Sequence, residues 1–213
     1  IESILWKNKK TLNKNQKRKK DNGMNKPFND DPVEVLVKNL LTKDGSVLDL
    51  RLKYIGDEGL EYLAQCPELV DLEILNLERN EVTDKGIQAL TKSRIITNLK
   101  ELHLERNEIG DAGARAIATS ANFSYLHFIN LWKNKVGVEG AKAIANSTVL
   151  VNLKNLDLAQ NNIGDEGARA LAEANTLASL EWLEVFGSGL TDEGKKLLKE
   201  STAFPKLQTL VVE

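Results

Sequence analysis

Glycine returns every 27 residues along this chain, at Gly59, Gly86, Gly113, Gly140, Gly167 and Gly194. Four apolar columns keep the same step. They are Leu72, Leu99, Leu126, Leu153, Leu180 and Leu207; Leu75, Leu102, Ile129, Leu156, Leu183 and Leu210; Val82, Ile109, Val136, Ile163 and Leu190; and Leu69, Ile96, Phe123, Leu150, Leu177 and Phe204. An unbroken period of this length predicts a solenoid, in which each unit buries its apolar face only against its neighbours. Such a chain has no natural interior pocket for a reaction. It has a long repetitive surface, and its function is expected there.

Inside each unit the apolar residues alternate: Leu75-x-Leu77, Leu102-x-Leu104, Ile129-x-Leu131, Leu156-x-Leu158 and Leu183-x-Val185. A period of two predicts one short strand per unit, with two side chains turned inward. Asn80, Asn107, Asn134 and Asn161 follow three residues later. An amide there can bond turn backbone in neighbouring coils and form a ladder. Lys53 and Ser188 stand in its end places, where looser turns are expected. Asp57, Asp84, Asp111, Asp165 and Asp192 sit two residues before the glycine and suit helix N-caps. Val138 interrupts that column, so the helix starting there is expected to be the worst capped. The runs after the glycine, such as Gly113-Ala114-Arg115-Ala116, are rich in small residues that let elements approach closely.

The unit from Leu72 through Asn80 and Gly86 to Leu90, and the next from Leu99 through Asn107 and Gly113 to Ile117, resemble the leucine-rich repeat of the ribonuclease-inhibitor type. The resemblance covers residues 48–212. It implies an α/β fold: a right-handed horseshoe with a parallel sheet on the concave face and helices on the convex face. It is specific for fold and not for function, since similar repeats occur in ribonuclease inhibitor, innate immune sensors, Ran GTPase-activating proteins and bacterial effectors.

Three segments follow: a basic, disordered leader over residues 1–27, a capping helix within 28–45, and the repeats over 46–213. Asp31 is expected as N-cap of the capping helix and Pro32 in its first turn. The chain stops at Leu210-Val211-Val212-Glu213, inside a strand, which reads as a clipped sequence or an exposed edge. Residues 1–23 carry eight basic and two acidic residues, whereas the remainder is net acidic. That tail reads as an electrostatic arm, a solubilising leader, or upstream sequence ahead of a start at Met24, the only methionine. No nucleic-acid function is rested on it. No apolar run approaches the roughly 20 residues of a membrane span. A single cysteine, Cys66, excludes an intrachain disulfide and reads as an apolar filler on a helix. His103 and His127 lack the spaced partners of a metal site or catalytic triad. No catalytic residue, metal ligand or cofactor is assigned, and a cytoplasmic monomer is expected, with a secreted effector as the alternative.

The residues between and beside the inward leucines face the concave side. There Phe128, Trp132, Trp182 and Phe186 are expected to form an aromatic-walled notch. Trp132 and Phe186 would flank Ala159, Phe128 and Trp182 would flank Asn155, and Asp157 and Glu184 would supply the acid. Exposed aromatics clustered in this way suit a protein or peptide partner carrying an apolar residue beside Lys or Arg. The bland alternative is that the rings only pack on one another. A secondary rim comprises Arg79, Glu105, Arg106 and Lys133. The acids Asp49, Glu78, Glu101 and Glu105 read as a solvated face neutralised by Arg51, Arg79 and Arg106. The expected function is a non-enzymatic protein-interaction scaffold. The alternatives are a GTPase-activating protein of the Ran type, using Arg79, Arg106 and Asn107, and the repeat portion of a larger bacterial effector or receptor.

Overall fold

Each alternating apolar pair folds as a three-residue strand, followed by a tight turn and, in every coil but the last, a helix. The structure, a computed structural model, describes residues 31–213. The expectations for the leader, including a start at Met24, lie outside the described residues. Helix α1 (Val33–Leu40) precedes the coils. The coils run β1 (Val47–Asp49) and α2 (Gly56–Leu63), β2 (Ile74–Asn76) and α3 (Asp84–Thr91), and β3 (Glu101–His103) and α4 (Asp111–Thr119). They continue with β4 (Phe128–Asn130) and α5 (Val138–Ala145), β5 (Asn155–Asp157) and α6 (Gly164–Ala172), β6 (Trp182–Glu184) and α7 (Asp192–Lys199), and end on β7 (Thr209–Val211).

The seven strands form one parallel sheet in chain order. Register advances by one repeat at every step, from Val47↔Ile74 to Trp182↔Thr209. Leucines such as Leu75, Leu77, Leu102 and Leu104 are buried beneath the sheet in one continuous core. This is the expected α/β leucine-rich-repeat solenoid.

Two side-chain ladders lock the coils together. The Asn107 amide donates to the Leu77 carbonyl of the preceding coil at 2.9 Å, and its oxygen accepts from Asn80 and Val82 N–H at 3.0 Å. Asn80, Asn134 and Asn161 donate to Leu50, Leu104 and Leu131 in the same way. Ser188 is not a loose end, because its buried hydroxyl continues the ladder by donating to the Leu158 carbonyl at 2.7 Å.

The aspartate column caps helices, but not its own. Asp111 Oδ1 accepts from Gly137 and Gly140 N–H at 2.7 and 2.8 Å, at the start of α5 in the next coil. Asp57 caps α3, Asp84 caps α4 and Asp165 caps α7 in the same forward sense. The period hid this, because a partner one repeat away looks the same as a partner within the unit. Four members of the glycine column are thereby explained: a Cβ on Gly86, Gly113, Gly140 or Gly194 would crowd the capping carboxylate, at 2.6 Å from Asp57 Oδ1 for Gly86, whereas Gly59 and Gly167 meet Ile55 and Ile163 instead. The effect of Val138 also moves one coil onward. Helix α5 is capped by Asp111, and α6, like α1 and α2 at the front of the chain, has no side-chain cap. Helix α6 begins instead at Gly164, at φ 59°, whose N–H donates to the Ser188 carbonyl. Left-handed backbone of this kind favours glycine.

At the front, α1 begins with Pro32 rather than Asp31 as its N-cap residue. Cys66 lies just beyond α2, at the start of a 3-10 turn (Pro67–Leu69), not on the helix itself. It is buried as expected, and burial pushes its thiol up to about 11.

Candidate functional site

The solvent face of the sheet presents rows of side chains running across the strands. The strand register places Asn155 directly between Phe128 and Trp182. It likewise places Asp157 between Asn130 and Glu184. The row beyond the strand ends holds Glu105, Trp132, Ala159 and Phe186. Phe128, Trp132 and Trp182 are each partly exposed, and Phe186 is 46% exposed. Neither indole is submerged beneath the backbone. Between Trp132 and Phe186, Ala159 is only 1% exposed and forms a low floor.

The aromatic groups do not all turn toward that floor. The Phe128 ring lies 4.6 Å from the imidazole of His103 on the preceding coil. The Arg106 guanidinium sits 4.6 Å from the Trp132 ring centroid, a cation–π contact. One side of each ring is therefore occupied from within the protein.

The rim residues Arg79, Arg106, Lys133 and Gln160 share a turn position with φ between 53° and 55°. Left-handed backbone costs about 1 kcal/mol or more per residue that is not glycine. Gly187 occupies the same place in the next coil. Of the GTPase-activating candidates, Asn107 is buried with its amide engaged in the ladder, and Arg106 lies on Trp132.

The acids are arranged differently from the expected solvated face. Glu101 and Glu105 flank His103, with Glu101 Oε2 at 3.3 Å from Nε2 and Glu105 Oε1 at 3.5 Å from Nδ1. Burial would lower the imidazole pKa, but Glu105 and Glu101 outweigh it and raise it above the ordinary histidine value. Glu105 has a side chain only 14% exposed, and its Oε2 is buried without a hydrogen-bond partner. His103 as the centre of this group was missed in the sequence, because the signal is contact and not spacing.

Asp157 is 8% exposed. Its Oδ1 accepts from the Ala159 N–H at 2.8 Å. Asn76 and Asn130 accept from the N–H two residues on in the same manner, as does Asp49. This column of Asx residues follows the repeat and was legible in the sequence. It gives Asp157 a structural role beside its expected binding role. Burial, together with the charges of Glu184 and Glu105, raises its pKa to about 6 despite the Ala159 hydrogen bond. Asp49 is the counterexample. Burial opposes ionisation there too, but the Arg51 side chain makes three close contacts at 2.7–3.0 Å and holds the carboxyl below its ordinary value.

Among the described residues no cluster of His, Cys, Asp and Glu is arranged to hold a metal ion. No described helix is long and apolar enough to cross a membrane. An open groove on the helix side over α3–α5 is lined by Gln88, Lys92, Asp111, Arg115 and Glu139, and contains none of the candidate residues.

Comparison with known proteins points to one repeat. A family model described as Leucine Rich repeat matches residues 70–90, 96–118 and 149–172. No curated protein matches. Solved structures that are similar include an internalin from Listeria monocytogenes, at 20% identity and a TM-score of 0.39, covering 70% of this chain and 49% of that one. A leucine-rich-repeat protein of Leptospira interrogans is 20% identical over 72% of this chain and 39% of its own, at a TM-score of 0.38. The ectodomain of the Arabidopsis thaliana receptor kinase GASSHO1/SCHENGEN3, solved with Casparian strip integrity factor 2, is 16% identical over 72% of this chain and 22% of its own, also at 0.38. The chain thus spans about half or less of the length of these structures. With its repeated strand, asparagine turn and helix, and with three units matching that family model, the chain carries leucine-rich repeats in an α/β solenoid fold.

Proposed function

We propose that this protein is a non-enzymatic scaffold that binds a protein or peptide on its concave sheet face, chiefly through Phe128, Trp132, Trp182 and Phe186. The observation that carries this reading is that all four aromatic side chains remain partly open to solvent on one patch of the sheet. Large aromatic groups on a preorganised surface bring contact area at low entropic cost, which is the chemistry of interface hot spots. Leucine-rich repeats in general serve as protein-interaction modules. The 27-residue coil with a helix on its outer side also favours the ribonuclease-inhibitor type of repeat.

The test compares the intact protein with a Trp132→Ala/Trp182→Ala variant in affinity purification, alongside thermal unfolding of both. Loss of captured partner with Tm unchanged is expected. Capture that survives the double substitution overturns the reading. A GTPase-activating role is disfavoured by the engagement of Asn107 in the ladder. Measuring nucleotide hydrolysis by small GTPases with and without the protein checks it.

A further inference from the structure

Asp49 and Asp157 occupy equivalent places in their coils and make the same backbone hydrogen bond, to Arg51 N–H and Ala159 N–H respectively. The residue two places on differs. At the first coil it is Arg51, whose guanidinium binds the carboxylate through Nε at 3.0 Å to both oxygens and through Nη2 at 2.7 Å to Oδ2. At the fifth coil it is Ala159, which leaves the equivalent space above the sheet empty of side chain. Fold alone asks only for a side-chain carbonyl oxygen here, which the amides of Asn76 and Asn130 supply. The chain instead places a carboxylate in a site 92% withdrawn from water, beside the like charge of Glu184. A second carboxylate oxygen, Glu105 Oε2, is buried with no hydrogen-bond partner, although the other oxygen of that group faces His103. Buried negative charge without a cation is costly, and the cost is relieved when a cation arrives.

We propose that the space over Ala159 seats one arginine side chain of an extended protein segment, its guanidinium held by Asp157 and sandwiched between Trp132 and Phe186. This deepens the reading of the concave face as a protein-binding surface and rests on it. Three features select arginine. The fork of N–H donors matches a carboxylate at about 2.8 Å. The planar cation stacks on aromatic faces, as Arg106 already does on one side of Trp132. The Asp49–Arg51 pair shows that this sheet position accommodates a guanidinium in that geometry. Burial and the neighbouring acids disfavour the charged form of Asp157, and a bound cation offsets that penalty.

The test needs no knowledge of the natural partner. The full chain is titrated at fixed pH and salt with the peptide acetyl-Gly-Leu-Arg-Leu-Gly-amide and with its citrulline twin, which keeps the shape and removes the charge. The arginine peptide is expected to bind at least about tenfold more tightly than the citrulline peptide. Asp157→Asn and Ala159→Arg should each erase that preference. Ala159→Arg also supplies the missing guanidinium in cis, so the Asp157 carboxyl should then titrate below its ordinary range, as Asp49 does. Equal binding of the two peptides, an arginine preference that survives both substitutions, or no binding of either peptide, each overturns the arginine seat. Equal binding that Trp182→Ala weakens overturns the seat while leaving the concave-face reading intact.

Discussion

The helix-bearing side and the sheet face of this solenoid obey opposite rules. On the helix side a column keeps its residue because the same bond is made at every step, as with Asp57, Asp84, Asp111 and Asp165. On the sheet face a row changes at every step: Glu105, Trp132, Ala159, Phe186. Sameness there marks an interlocking contact between coils, and variety marks a surface released from that duty. The middle row is the instructive mixture, since Asp49, Asn76, Asn130 and Asp157 keep one hydrogen bond while the two aspartates add a charge.

Breaking a repeated column should cost most. Asn107→Ala removes a buried amide with several backbone partners in two coils and should destabilise the protein by about 3 kcal/mol, read by urea unfolding. Asp157→Asn sharpens the contrast in the other direction, because it keeps the turn bond and removes the buried charge. The wild-type carboxyl binds its proton more tightly folded, at about 6, than at its ordinary 3.8. Its contribution to stability is therefore fully present below about pH 4 and lost as pH rises through 6. The variant should be more stable at pH 7 by about 2 kcal/mol and show a flatter unfolding profile between pH 4 and 7. Asp111→Ala strips the α5 cap and should cost about 1 kcal/mol, whereas Val138→Ala should spare the N-terminus of α5; thermal melts of the two variants distinguish forward capping from self-capping. The smallest effect is expected at Arg79→Gly, which relieves the left-handed turn and should raise stability by about 0.5 kcal/mol.

Strand positions, register and helix order were legible because period-2 pairs and an unbroken repeat leave little freedom. The direction of the Asp111 cap was not, since spacing modulo one repeat cannot tell a residue's own helix from the next. The rows carrying Phe128, Trp132, Trp182 and Phe186 were likewise legible from alternation. The contacts of Phe128 with His103 and of Trp132 with Arg106 were not, because alternation fixes which face a side chain takes and says nothing about its tilt along the stack. The raised pKa of Asp157 was not legible either, because burial and the charges of Glu184 and Glu105 set it, and no spacing carries those.

Forward capping gives the stack a polarity. The starts of α3, α4, α5 and α7 are each signed by the coil before, so a 27-residue block among them can be duplicated or excised with its donors and acceptors still matched, whereas a cut elsewhere leaves a carboxylate facing the wrong turn. Val138 is the one missed signature between α2 and α7, which makes the α5–α6 junction the seam at which such a chain can be cut and rejoined with least loss.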